Sequence, residues 1–100
     1  MPLVRVAGAH EIPEGTGRQV VANGKLLALF NVKGEYHAVD GICPHQGGPI
    51  GEGILEGTVV SCPWHFWRYD VVKGHAPDFP QATIRKYTVQ RQGADIMVEL

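Results

Sequence analysis

One hundred residues, 44% hydrophobic and 19% charged, form an ordinary globular composition sized for one domain and unlike a disordered chain. A formal net charge of −1, from 9 Lys and Arg scattered among 10 Asp and Glu, argues against nucleic-acid binding and against attachment to an anionic membrane. With 13 Gly and 7 Pro, a fifth of the chain, a turn-rich and mostly β protein is expected rather than a helical bundle.

The opening stretch, MPLVRVAGAHEIPEG, carries one Arg and no apolar run of signal-peptide length, and no later segment is long enough to cross a bilayer. A cytoplasmic protein is expected. Strands follow at 3–6 (LVRV) and 18–22 (RQVVA), with a loop at EGTG between them. NGK at 23–25 is an Asn-Gly hairpin signal of type I′, linking RQVVA to LLALFNV. KGE at 33–35 turns that strand into YHAVD, whose alternation fits a half-buried strand. From 41 to 57 the periodicity vanishes, and six of the seventeen residues are glycine. Strand character resumes in TVVS (58–61) and FWRYDVV (66–72). GHAPDFP (74–80) is a Pro-rich loop, and APDFPQA has room for one short turn. TIRKYTVQ and ADIMVEL read as a closing hairpin about RQG. The chain is thus expected to be a single all-β domain over 1–100, small and antiparallel, with a loop insertion at 41–57.

The chemistry lies on two loops. GICPHQGGPI and SCPWHFW contribute Cys43, His45, Cys62 and His65, spaced as C-x-H, sixteen residues, then C-x-x-H. Both hooks fall at the tips of hairpin-like loops, where a rigid sheet can hold irregular backbone. Cys43 and Cys62 are the only cysteines, and without an export signal they favour metal binding or catalysis over a disulfide. Two thiolates and two imidazoles can hold tetrahedral zinc. The usual zinc arrangement, however, pairs two cysteines in one hook with two histidines on a helix. One Cys and one His per hook, neither opening a helix, suits two metal atoms bridged by sulfide better. Gly47, Gly48, Gly51 and Gly53 either let backbone N–H groups approach a negative cluster or serve as plain turn residues.

The segment CPHQGGPIGEGILEGTVVSCPWHFWRYDVVKG resembles the cluster-binding segment of Rieske [2Fe–2S] proteins, and the chain resembles a Rieske ferredoxin in length. The resemblance implies a small antiparallel β-sandwich with a loop-rich cluster-binding subdomain over about 41–70. The Pro loop at 74–80, including Pro77, would cover the cluster. One cluster per chain is implied, with Cys43 and Cys62 on one iron and His45 and His65 on the other. Two ferric ions, two sulfides and two thiolates sum to zero charge, whereas four thiolates give −2, so reduction costs less electrostatic work here. Rieske potentials accordingly run from about −150 to +300 mV, against about −400 mV for plant-type ferredoxins.

In high-potential members a disulfide ties the two loops; its positions fall here on Gly48 and Trp64. The serine that donates to a bridging sulfide in that class corresponds to Trp67. Both departures place the potential in the lower half of the range. Tyr69 pulls the other way, since it matches the tyrosine that donates to a cysteine sulfur; a strand residue packed in the core is the competing reading. Phe66 stands where a glycine commonly follows the second histidine. Trp64 and Trp67 are core residues or a docking rim, and His10, His37 and His75 are surface or strand histidines.

A monomeric one-electron carrier is implied, not an enzyme in its own right. It would pass electrons from an NAD(P)H-dependent flavoprotein reductase to a terminal oxygenase of aromatic-ring dioxygenase type, docking at the His45/His65 end. The alternatives are the small subunit of an NAD(P)H-dependent nitrite reductase and a structural zinc module.

Overall fold

The continuous apolar run LLALFNV organises the molecule. In the computed structural model, which describes residues 3–43, 47–63 and 67–100, this run is β3 (Lys25–Val32), buried on both faces from Leu27 onward. Leu27 and Leu29 point into one apolar cluster with Ala7, Val20, Ala22, Ala38, Ile96 and Val98. Ala28, Phe30 and Val32 point into another with Val39, Cys43, Ile50, Val60, Cys62 and Tyr69. Period-two alternation thus feeds two cores from one strand.

Around β3 lie β2 (Gly17–Ala22), β4 (Glu35–Asp40) and the short β8 (Lys86–Tyr87), in the order β2-β3-β4-β8. On one side packs the sheet β1-β10-β9, made of β1 (Leu3–Gly8), β10 (Asp95–Glu99) and β9 (Val89–Gln92). On the other lies β5-β6-β7, made of β5 (Ile54–Glu56), β6 (Val59–Ser61) and β7 (Arg68–Asp70). Every strand pair is antiparallel. The helical content among the described residues is two 3₁₀ turns, Ala9–Glu11 and Ile50–Glu52. None of the described helices is long and apolar enough to cross a membrane.

The turns explain the register. Asn23 (φ 50°) and Gly24 (φ 76°) are both left-handed, as a type I′ turn requires, and Lys33 (φ 51°) and Gly34 (φ 90°) repeat the device. The buried Asn31 holds the adjoining loops: its Nδ2 donates to the Ile12 carbonyl at 2.8 Å, and its Oδ1 accepts the Gly34 N–H at 2.8 Å.

Four sequence expectations change. YHAVD is not half-buried, because Ala38 and Val39 are consecutive and feed opposite cores. The stretch 41–57 contains β5, whose three residues are too few for a periodic signal. TIRKYTVQ is two strands rather than one, β8 joining β4 and β9 joining β10. The closing turn falls on Gly93 and Ala94, shifted toward the C-terminus from RQG, because Gln92 pairs with Asp95 and leaves Arg91 and Gln92 in β9. The expected short turn near APDFPQA is present, closed by the Ala82 N–H to the Phe79 carbonyl at 2.8 Å.

Candidate metal centre

The first loop leaves β4 at Gly41, whose N–H donates to the Leu26 carbonyl at 3.0 Å. A Cβ at Gly41 would stand 2.9 Å from that same backbone, so only glycine lets the loop depart this close to β3. Ile42 bridges Pro49, and the Cys43 N–H donates to the Gly48 carbonyl at 2.8 Å, closing the loop on itself. The second loop is the β6–β7 hairpin, pinned where the Cys62 N–H meets the Trp67 carbonyl at 2.6 Å. Both cysteines are thereby fixed at the necks of their loops. They are buried in the same apolar cluster and in no disulfide.

Tyr69 meets the first loop from β7. Its side chain is fully buried, and Oη lies 3.2 Å from Cys43 Sγ although the residues stand 26 apart in sequence. The two readings of Tyr69 prove compatible: the ring is core, and the hydroxyl bonds the sulfur. Trp67 stacks on Tyr69 at 6.3 Å between centroids and meets Phe79 at 5.9 Å, so it is a half-buried link between the cluster of core residues and the Pro loop.

The Pro loop is held by backbone and by charge. The Asp70 N–H donates to His75 O at 2.8 Å, Ala76 N–H to Ala82 O at 2.8 Å and Ile84 N–H to Gly74 O at 2.9 Å. Arg68 Nη2 and Asp78 Oδ2, at 2.8 Å, latch β7 to the loop from outside. Asp70 is a residue that sequence reasoning missed. Its Oδ1 accepts the Val72 and Lys73 N–H groups at 2.9 and 3.0 Å, and its Oδ2 accepts the Thr58 hydroxyl at 3.0 Å. These bonds turn the chain and end β7 at Asp70, two residues before the expected end of the strand. Burial alone would push the Asp70 carboxyl up, but its backbone and hydroxyl donors and the Lys73 charge outweigh that, and it lies below the usual carboxylate value. The sequence signal was an Asp shortly followed by Gly, whose φ of 83° at Gly74 completes the turn.

The candidate residues divide as follows. Cys43, Cys62, Gly48 and Tyr69 are buried and gather at the loop necks, whereas Pro77 is exposed in the Pro loop. His45, Trp64, His65 and Phe66 lie outside the described residues. Gly47 and Gly53 use their N–H groups within turns, donating to Cys43 O at 2.8 Å and Ile50 O at 2.9 Å. Gly51 and Gly53 are required by packing, since a Cβ would fall 2.5 Å from Gln19 Cγ and 2.1 Å from Ser61 O. For Gly47, Gly51 and Gly53 local geometry therefore accounts for the glycine. His10 is exposed, His37 lies on β4 near Glu35 at 3.8 Å, and His75 Nδ1 is 3.0 Å from Ala76 O.

The donor set fits a mixed-ligand iron–sulfur group: two buried thiols without a disulfide, each followed closely in sequence by one histidine, and a hydroxyl already placed on one sulfur. Comparison with known proteins bears on the same point. The model of the Rieske [2Fe–2S] domain matches residues 3–88. The ferredoxin component of a naphthalene 1,2-dioxygenase system from Pseudomonas aeruginosa is 40% identical over 92 residues, covering 91% of this chain and 88% of the relative. Among solved structures, the Sphingomonas yanoikuyae B1 ferredoxin superposes with a TM-score of 0.89 at 26% identity, covering 99% of each chain. A chain from the complex of reduced oxygenase and oxidized ferredoxin in carbazole 1,9a-dioxygenase superposes with a TM-score of 0.87 at 26% identity. It covers 96% of this chain and 91% of that one.

Proposed function

Because the chain belongs to the Rieske [2Fe–2S] domain family, we propose that it is a soluble, cytoplasmic one-electron carrier, the ferredoxin component of an aromatic-ring dioxygenase system. When bound, the cluster supplies reversible one-electron chemistry at a potential set by its mixed ligands. Cys43 and Cys62 would hold one iron and His45 and His65 the other. The cluster-binding unit comprises 41–70, with 74–80 as its cover, within a single domain. The loop necks bury the two cysteines among apolar side chains, and Tyr69 directs its hydroxyl at Cys43 Sγ in the same buried core.

The electron donor is a flavoprotein NAD(P)H reductase and the acceptor a terminal oxygenase. Both dock at the His45/His65 end. A net charge of −1 leaves such docking to shape and local contacts more than to long-range steering. A nitrite reductase small subunit is less favoured, given 40% identity to a dioxygenase ferredoxin across 91% of the chain.

The observation that carries this reading is the pair of buried, disulfide-free cysteines with the Tyr69 hydroxyl on one of them. The test is spectroscopic. The purified protein is expected to be red-brown, to contain about two irons per chain, and to give a Rieske EPR signal after dithionite reduction. A colourless, zinc-loaded protein refutes the reading in favour of a zinc module.

A further inference from the structure

An open groove of about 410 Å³ lies beside the first loop, lined by Lys25, Leu26, Asp40, Ile42, Arg85 and Tyr87. Its apolar side is unusual for a surface: Ile42, the residue before Cys43, is 51% exposed. Leu26 continues it, and Val21, which pairs with Leu26 across the β2–β3 hairpin, is 72% exposed. Cross-strand partners share a face, so Val21 extends the apolar strip from the groove along the hairpin.

Its charge is equally particular. Arg85 Cζ lies 5.1 Å from the centre of the Tyr87 ring and Lys25 Nζ lies 5.9 Å from it, so two cations are held against one aromatic side chain. Among the described residues neither cation has a carboxylate within 4.0 Å. The one acid of the groove, Asp40, accepts the Tyr87 hydroxyl at 2.6 Å. Two cations and one anion leave the groove positive on a chain whose net charge is −1.

The groove is also pre-formed. Tyr87 is fixed through its hydroxyl and through the pairing of β8 with β4 at Ala38, and Gly41 is tied to Leu26 by a backbone bond. An apolar strip flanked by cations that have no carboxylate partner among the described residues is complementary to a protein segment that presents an apolar side chain among carboxylates.

We propose that this groove receives an acidic, apolar-tipped segment of the terminal oxygenase and so sets partner recognition by this carrier. The assignment rests on the carrier reading above. The oxygenase is favoured over the reductase because the matching chain of the carbazole 1,9a-dioxygenase complex comes from an assembly of ferredoxin with oxygenase.

The test uses the cluster-loaded full chain and the purified oxygenase of the naphthalene 1,2-dioxygenase system. The double variant Lys25→Glu/Arg85→Glu is compared with wild type and with Lys33→Glu/Arg91→Glu, which makes the same change of net charge at exposed positions away from the groove. Binding of the oxidised chain to immobilised oxygenase is the first readout. Stopped-flow reduction by the reductase and oxidation by the oxygenase are the second and third. The groove variant is expected to bind the oxygenase about ten-fold more weakly at low ionic strength, with the difference fading as salt is raised. Its EPR signal and its reduction by the reductase should be unchanged, and the control pair should bind like wild type.

Wild-type affinity in the groove variant overturns the proposal. So does an equal loss in the control pair, which would assign the effect to net charge, or a loss confined to the reductase step, which would assign the groove to the other partner. A wild-type chain that is reduced normally but neither binds nor reduces the oxygenase overturns the dioxygenase reading and the groove's occupant with it. Failure of the groove alone leaves wild-type transfer intact.

Discussion

Replacing Tyr69 by Phe removes one oxygen atom from a fully buried side chain and leaves its ring stack on Trp67 in place. The lost contact is the hydroxyl 3.2 Å from Cys43 Sγ. A hydrogen bond to a charged acceptor contributes about 1.5–3 kcal/mol. Most of that acts on the Cys43 thiolate in both oxidation states and cancels in the potential. The part that survives is the strengthening of the bond when reduction adds one negative charge in a site shielded from water and salt. Taking that part as about 1 kcal/mol, and a one-electron couple at about 59 mV per 1.4 kcal/mol, the variant should fall by roughly 40 mV. Spectroelectrochemistry of wild type and Tyr69→Phe under identical conditions measures it. An unchanged or raised potential would refute the argument, because it would mean that the hydroxyl does not favour the reduced state.

Asp70→Ala removes the acceptor for the Val72 N–H, the Lys73 N–H and the Thr58 hydroxyl, and should cost about 2–4 kcal/mol of stability in urea unfolding. Because the folded carboxyl lies below its unfolded value, its contribution is fully present above about pH 4 and is lost as pH falls through the depressed value; acid unfolding should therefore separate wild type from variant only on the neutral side. Two glycine substitutions should differ. Gly53→Ala drives a Cβ to 2.1 Å from Ser61 O, costing about 3 kcal/mol or more with visible loss of cluster absorbance. Gly57→Ala, at φ 64° with open space around it, should cost only about 1 kcal/mol in a thermal melt and leave the absorbance intact.

Where geometry is local, the sequence was legible. Asn23-Gly24 and Lys33-Gly34 form left-handed turns that match the register of β2, β3 and β4. The cysteine hooks were legible because ligand chemistry restricts residue type as well as spacing. What sequence could not carry is pairing decided at a distance. Thr88 divides a run that reads as one strand, because Ala38 claims Tyr87 and Val98 claims Val89. Asp70 looked like one more strand residue until its carboxylate took the following N–H groups. Lys25 and Arg85, sixty residues apart, gave no joint signal; only the placement of Tyr87 against Asp40 brings them onto one ring.

The pairing of β1 with β10 joins Leu3 to Glu99, so nearly the whole chain is one closed loop with both cysteine hooks inside it. Contacts of such separation form slowly, since the entropy of closing the loop is lost before any of them is gained, whereas the β2–β3–β4 hairpins need only neighbours. The order of events during folding is therefore expected to run from the hairpins outward. The loop necks, which hang on β4 and on the β6–β7 hairpin, can take shape before the outer sheet shuts. The last strand to dock would then close the Leu27/Leu29 core, on the face of β3 away from the two cysteines, so the loop necks do not wait on it.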